Sequence, residues 1–361
     1  MISYWVNAEN RDGIDRYLAT RGRALAEQIH VRVYEEMAPH LEVTRGAHIF
    51  SALDQLNDSG REAVAALYDW LAVRCPGAPL LNDPRHSLLR HDLLNTLFDA
   101  GINRFAVRRA SERTDDLRFP VFVRQENAHD GSLTGLLADR RALARALLAL
   151  RARGHRASDL LVVEFCDLSD ADGFYHKAAA FKVGDAIVPA HLLIGRPWML
   201  KWDEAVRDER TLREHLAFVT GNPHEAWLRR VFDLAHVNYG RCDYGVRGDT
   251  LQVWEINLNA TIGFGPGPPP APLSPKLEAL LDQARLAHHD MMRVAFRALD
   301  PGMSTDRVTV TLDAALISRI SAEAARARRR SAVRRFLQGL FHHRTIGRPF
   351  RRLYSRFLPR P

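Results

Sequence analysis

A pair of strands is predicted by Arg241-Cys242-Asp243-Tyr244 and Trp254-Glu255-Ile256-Asn257-Leu258-Asn259, and the pair carries acidic and amide side chains. Side chains alternate between the two faces of a strand. The second segment therefore presents one polar and one apolar face, formed by Glu255, Asn257 and Asn259 and by Trp254, Ile256 and Leu258 respectively.

The turn between these strands determines which residues face each other. A three-residue loop, Gly248-Asp249-Thr250, would pair Arg247 with Leu251. Asp243 would then lie directly opposite Glu255. A two-residue loop would instead turn Asp243 to the other face, so the pairing depends on the loop length.

Opposed carboxylates destabilise a sheet unless a cation lies between them. Oxygen atoms of Asp, Glu and Asn are the ligands that Mg²⁺ takes when it is shared with nucleotide phosphates. We therefore predict Asp243, Glu255 and Asn257 as metal ligands. The alternative is a solvated hairpin face with ordinary acids.

Hydrophobic periodicity and turn residues predict α/β alternation around this hairpin. Predicted strands cover residues 48–53, 79–82, 121–123, 159–165, 175–183, 186–189, 239–245 and 251–257. Predicted helices cover residues 61–74, 87–101, 136–153, 208–218, 223–237 and 276–299. Residues 263–275 are rich in Gly and Pro and are predicted to form a loop.

Composition indicates a globular protein, with 46% hydrophobic and 26% charged residues in 361. The net charge of +8 is unevenly distributed: residues 321–361 carry 12 Arg and one acid, and the remaining chain carries −3. The body is therefore not expected to bind nucleic acid sequence-specifically. The three cysteines form no C-x-x-C pair, and no apolar run is long enough to span a membrane. We expect a cytoplasmic protein.

The order of the motifs resembles the ATP-grasp superfamily, in particular glutathione synthetase-like carboxylate-amine ligases. Asp243, followed twelve residues later by Glu255-Ile256-Asn257, is similar to the magnesium-binding end of that family. The segment Phe119-Pro120-Val121-Phe122-Val123-Arg124 resembles the strand whose terminal lysine contacts the α-phosphate, and Val162-Val163-Glu164-Phe165-Cys166 resembles the hinge that meets adenine and ribose. The resemblance covers about residues 46 to 300.

The resemblance implies ATP and Mg²⁺ as cofactors and assigns roles to individual residues. Arg90 and Arg124 stand where the family has phosphate-binding lysines. The loop with His129 and Ser132 resembles the flap over the triphosphate, and the hinge residues Glu164, Phe165 and Cys166 contact the nucleoside. Lys177, rather than the adjacent His176, matches the catalytic basic residue, and Arg241 either steadies an acyl phosphate or pairs structurally with an acid.

The implied architecture has three parts. Residues 1–84 form an N-terminal α/β pre-grasp domain, and residues 85–303 form the ATP-grasp domain, whose last helix covers residues 276–299. Residues 304–361 form a linker and a basic amphipathic tail. Its apolar and arginine pattern suits an anionic membrane surface or an acidic partner, so peripheral attachment is one expectation and a solvated tail is the other.

The implied reaction activates a substrate carboxylate as an acyl phosphate, which an amine or another nucleophile then attacks. The carboxylate belongs to a small molecule or a peptide. The alternative is an ATP-grasp-like protein that binds nucleotide or peptide and acts through partners without turnover. The replacement of the family's two lysines by arginines motivates this alternative.

Overall fold

The computed structural model describes residues 1–128, 131–262, 272–300, 302 and 305–319, and it confirms the α/β class. Its strands are β1 Ile2–Val6, β2 Ile29–Val33, β3 His40–Thr44, β4 Ala47–Phe50, β5 Leu80–Leu81, β6 Val107–Arg109, β7 Val121–Gln125, β8 Leu160–Glu164, β9 Tyr175–Val183, β10 Ala186–Gly195, β11 Tyr239–Arg247, β12 Thr250–Asn257 and β13 Arg307–Thr311. Its helices are α1 Asp12–Ala19, α2 Asp58–Arg74, α3 Arg90–Asp99, α4 Arg140–Ala152, α5 Glu209–Gly221, α6 Glu225–Leu234 and α7 Pro275–Leu299.

The N-terminal part is a parallel sheet in the order β2-β1-β4-β5. Strand β1 reads Ile-Ser-Tyr-Trp-Val and is buried along its whole length, as expected of a central parallel strand covered on both faces. The sequence analysis did not predict β1, β2, β3 or α1. These segments are short, and their polar residues interrupt the hydrophobic pattern that identified the other elements.

Two larger antiparallel sheets lie beside it, in addition to the antiparallel pair β13-β3. One has the order β10-β9-β11-β12 and the other β6-β8-β7. The centre of β9 is Ala178-Ala179-Ala180, which is fully buried. One face of the larger sheet packs on α5 and α6, and α7 covers part of the other face, which leaves the remainder of that face to meet the smaller sheet.

Asn82 connects the parallel sheet to the larger antiparallel sheet. Its Nδ2 donates to the carbonyl oxygens of Phe50 at 3.1 Å and of Tyr239 at 2.7 Å, and its Oδ1 accepts from the backbone N–H groups of Asn238 and Tyr239 at 3.1 and 3.0 Å. The residue is fully buried and has a left-handed φ of +66°, a conformation that asparagine tolerates better than most residues. This link fixes β11 relative to the N-terminal strands.

The β11–β12 turn differs from the three-residue loop predicted above. Arg247 pairs with Thr250, so the loop has two residues, and the predicted pairing of Arg247 with Leu251 was wrong. Asp243 nevertheless lies opposite Glu255, because the register shifts by one residue at Trp254. A β-bulge of this kind adds one residue to one strand. The two-residue loop alone would turn Asp243 to the face opposite Glu255, and the extra residue brings the two side chains back to the same face.

The chain after residue 303 also differs from the expected linker. Strand β13 pairs antiparallel with β3, and Val310, Leu312, Leu316 and Ile317 are buried in the main core. Alternating valines in Arg307–Thr311 give this segment an apolar side that can be buried only by returning to the body. The basic tail from residue 321 onward lies outside the described residues, as does most of the predicted Gly/Pro-rich loop, and no described helix is long and apolar enough to cross a membrane.

Candidate functional site

A cavity of about 140 Å³ lies between the two antiparallel sheets. Most of its wall is apolar, with a charged end formed by Arg124, Lys177, Asp243 and Glu255. The aromatic residues of the wall are Phe105, Phe122, Phe165, Tyr175, Trp198 and Trp254. A wall of this composition suits a flat, largely apolar group that carries a charged substituent at one end.

Aromatic contacts shape the apolar end. The ring of Trp198 lies 5.0 Å from Phe122 and 5.6 Å from Phe165, measured between centroids, and Trp254 stacks on Phe105 at 5.6 Å. The sequence analysis placed Trp254 and Glu255 on opposite faces, yet both line the cavity. The bulge explains this difference, because it directs two successive side chains toward the same region.

Asp243 is enclosed by two basic side chains. Nε of Arg241 lies 2.6 Å from Oδ1 of Asp243, Nη2 of Arg241 lies 3.2 Å from Oδ2, and Nζ of Lys177 lies 3.2 Å from Oδ2. Burial alone would raise the pKa of Asp243, but Arg241 and Lys177 hold that pKa well below its ordinary value. The carboxylate is therefore ionised at any physiological pH.

Glu255 is enclosed in the same way by two arginines. Its Oε2 accepts from Nη2 of Arg124 at 2.8 Å and from Nη2 of Arg90. Nη1 of Arg90 also donates to the carbonyl oxygens of Gln125 at 3.2 Å and Ala128 at 3.0 Å. Burial lowers the pKa of Arg124, an effect that Glu255 opposes. The two arginines thus join Glu255 to the loop that follows β7.

The oxygen atoms of the three predicted metal ligands already have partners within the chain. Both oxygens of Asp243 and Oε2 of Glu255 are engaged by basic side chains, and Oδ1 of Asn257 accepts from the backbone N–H of Asn259 at 2.9 Å. Among the described residues, no group of three or more His, Cys, Asp or Glu side chains could hold a metal ion. These oxygens do not fit Mg²⁺ in this arrangement, and the metal role of Asp243, Glu255 and Asn257 stays a prediction from the resemblance.

His191 is a residue of this region that the sequence analysis missed. It pairs across the sheet with Ala179, which pairs with Asp243, so His191, Asp243 and Glu255 lie in one row across four strands. Burial, together with Arg241 and Lys177, holds the pKa of His191 well below 6.5. Within the described part of the chain its Nδ1 has no hydrogen-bond partner. The position of His191 follows from the register of β10 against β9, which shifts after Pro189. That register cannot be read from the sequence alone.

The remaining predicted residues are distributed on both sides of the cavity wall. Phe165 and Cys166 line the cavity. The carboxylate of Glu164 is turned away from it, accepting from the backbone N–H groups of Ala106 and Arg118 and from the Arg118 guanidinium. The contact of Glu164 with a nucleoside stays a prediction.

The predicted flap residues have different outcomes. Ser132 forms a bridge with Arg124, which continues the β7 pairing into the flap, and Ser132 is not part of the cavity wall. His129 lies outside the described residues. The cavity wall next to the flap includes Gly131 and Lys201, neither of which the sequence analysis proposed.

No family model matches the chain, and no curated protein matches it by sequence. Its structure is similar to a RimK-domain ATP-grasp protein from Sphaerobacter thermophilus, with 14% identity, a TM-score of 0.41 and coverage of 81% of this chain and 99% of that one. It is also similar to D-alanine–D-alanine ligase from Bacillus anthracis, with 14% identity, a TM-score of 0.41 and coverage of 81% and 98%. A third similar structure is the ATP-grasp ligase PsnB complexed with a minimal precursor, with 14% identity, a TM-score of 0.46 and coverage of 78% and 99%.

Proposed function

We propose that this chain is an ATP-dependent ligase that activates a substrate carboxylate as an acyl phosphate for attack by an amine or another nucleophile. One observation carries the proposal. Four basic side chains, Arg90, Arg124, Lys177 and Arg241, converge on two opposed carboxylates at the charged end of an aromatic cavity between two sheets. Such a site would combine an apolar end that suits a planar base with a basic end that suits phosphates.

The nucleotide base would lie in the apolar end, against Phe122, Phe165 and Trp198. Stacking and burial of a purine against these rings supply affinity without requiring charge. Arg90 and Arg124 would neutralise phosphate oxygens, since a guanidinium donates two parallel hydrogen bonds to such groups. The bound triphosphate then points its terminal phosphate toward Lys177 and Arg241.

The reaction needs no protein nucleophile. A carboxylate oxygen of the substrate attacks the terminal phosphorus, the bond to the β-phosphate oxygen breaks, and ADP leaves with the electron pair. An amine then attacks the acyl carbon, phosphate leaves, and the amine loses a proton. Lys177 and Arg241 would stabilise the charge on the transferring phosphoryl group and orient the carboxylate.

The test is ADP release over a panel of small carboxylates, peptides and amines. We expect release that depends on both a carboxylate and ATP, and we expect Lys177→Met to reduce it by about 100-fold or more while the variant still folds. Lys276→Met is the matched control, because that lysine is exposed on α7 and pairs only with Glu209 in the described structure. Product formation without nucleotide would contradict the proposal.

A second candidate is a nucleotide-binding protein without turnover that acts through partners. The observation that favours it is the engagement of both carboxylates by basic side chains. Saturable ATP binding with no ADP release over the full panel would support this candidate. ADP release with any substrate pair would exclude it.

A separate attachment function is proposed for residues 321–361, which carry 12 Arg and one acid. Basic residues near an anionic surface contribute about 1 kcal/mol each, so several acting together give reversible, salt-sensitive binding. We propose a cytoplasmic protein whose tail binds an anionic membrane or an acidic partner. Truncation before Ser321 should abolish cosedimentation with phosphatidylserine vesicles at low salt and leave ATP binding unchanged.

A further inference from the structure

We infer that the charged end of the cavity binds polyphosphate through its basic side chains alone, without a metal ion between protein and phosphate. The inference rests on the proposed function and concerns the same site. The two carboxylates that would hold a metal ion are already paired with basic side chains.

The cluster around the two carboxylates carries a net positive charge. Arg90, Arg124, Lys177 and Arg241 surround Asp243 and Glu255, which leaves a net charge of +2. His191 adds none, because burial keeps it neutral. A divalent cation would raise this charge in a largely buried space, whereas a polyphosphate would neutralise it. The cluster in its present form therefore favours an anion.

Releasing the two carboxylates to a metal ion would separate buried ion pairs. Asp243 could offer both oxygens to a metal ion only by giving up its contacts with Arg241 and Lys177. Arg241 lies mostly buried, and separating it from Asp243 would leave a buried cation without its counter-ion. Glu255 would have to release Arg90 and Arg124, which are both only 7% exposed.

Arg90 and Arg124 differ from lysine in the hydrogen bonds that they can donate. Nε of Arg90 and Nε of Arg124 are buried and have no hydrogen-bond partner in the described part of the chain. Each guanidinium presents a planar set of donors that matches two oxygens of one phosphate. Lysine offers a single charged point instead. Arg124, which lines the cavity, can thus supply bidentate contacts to a phosphate, whereas Nη1 of Arg90 already donates to backbone carbonyl oxygens and Arg90 adds its charge.

Glu255 then acts as an internal competitor of the phosphates. Its Oε2 lies between two guanidinium groups, which is the position that a phosphate oxygen would take. An entering polyphosphate must share or displace this carboxylate. Removing its charge should therefore tighten phosphate binding, whereas removing a metal ligand should weaken it.

The experiment measures the dissociation constants of ATP and inorganic triphosphate by calorimetry, with the full chain, in Mg²⁺ and in EDTA. We expect both compounds to bind in EDTA within about threefold of their affinity in Mg²⁺. We expect Glu255→Gln to bind triphosphate about tenfold more tightly in EDTA, while the control Glu214→Gln, on the exposed face of α5, leaves affinity unchanged.

The outcomes separate this inference from the proposed function. Binding that requires Mg²⁺, or weaker triphosphate binding by a folded Glu255→Gln variant, overturns the inference and leaves the ligase proposal standing. Binding of ATP but not triphosphate in EDTA also overturns it, since the base would then supply the affinity. No binding of either compound under either condition overturns both. If Glu255→Gln does not fold, the comparison of Mg²⁺ with EDTA on the unaltered chain decides.

Discussion

Asp243 and Glu255 face each other across β11 and β12 because Trp254 is the extra residue of a β-bulge between them and the turn. The bulge directs the indole of Trp254 and the carboxylate of Glu255 into the same cavity. One local irregularity therefore joins the aromatic and the charged ends of the site. Each carboxylate is then balanced by two basic side chains, which come from other elements except for Arg241, two residues before Asp243 on β11.

Loss of the Glu255 charge should destabilise the chain. In Glu255→Gln the mostly buried guanidinium groups of Arg90 and Arg124 lose their shared counter-ion. We expect the free energy of unfolding to fall by about 3 kcal/mol, measured by urea denaturation. The control Glu214→Gln breaks only an exposed pair with Arg210 and should cost about 0.5 kcal/mol or less. Equal effects of the two substitutions would contradict this account.

Asp243 should contribute to acid sensitivity. Its pKa in the folded chain lies below the ordinary value of 3.8, so the unfolded chain takes up this proton first as the pH falls. The stabilisation is complete above about pH 4 and is lost progressively below it. Urea titrations at pH 5, 4 and 3 should show a smaller loss for Asp243→Asn than for the unaltered chain. An identical slope would show that this carboxylate is not held by Arg241 and Lys177.

The two ends of the cavity should be separable by substitution. Trp198 contacts Phe122 and Phe165 at the apolar end and lines the cavity. Trp198→Ala should weaken ATP binding by about tenfold, through the loss of a stacking surface, and should leave inorganic triphosphate binding unchanged. Calorimetry with both compounds gives the two values. Equal weakening of ATP and triphosphate binding would mean that the segment around Trp198 has changed position, and not simply that the base has lost its contact.

Asn82 should be sensitive to the backbone as well as to hydrogen bonding. Asn82→Ala removes four hydrogen bonds in a buried site and forces alanine into a φ of +66°. We expect a loss of about 4 kcal/mol in the free energy of unfolding. Asn82→Gly removes the same hydrogen bonds without the conformational cost, so it should be about 1 kcal/mol more stable than the alanine variant. Thermal and urea unfolding should both show that the glycine variant is more stable than the alanine variant, and the reverse order would contradict this account.

The sequence alone determined the elements with strong hydrophobic periodicity and the composition of the hairpin. Helices such as Asp58–Arg74 and Pro275–Leu299, and the strands Tyr175–Val183 and Tyr239–Arg247, followed from local pattern because burial imposes a period of two or 3.6 residues on them. The same pattern identified Asp243 and Glu255 as the acids of the site. Alternation could not reveal the bulge at Trp254, since a bulge depends on packing between strands rather than on the order of residues.

Which charged side chains meet depends on how the elements pack. Arg90 and Glu255 are 165 positions apart, and Arg124 and Glu255 are 131 apart, so their ion pairs arise from the packing of the two sheets. The same holds for His191, whose place in the row with Asp243 depends on the register of β10, and for β13, whose partner β3 lies near the other end of the chain. Local sequence sets the direction of a side chain along its own strand or helix. The distance between charges on separate elements is set by how those elements pack, and that distance decides whether a buried carboxylate meets a guanidinium.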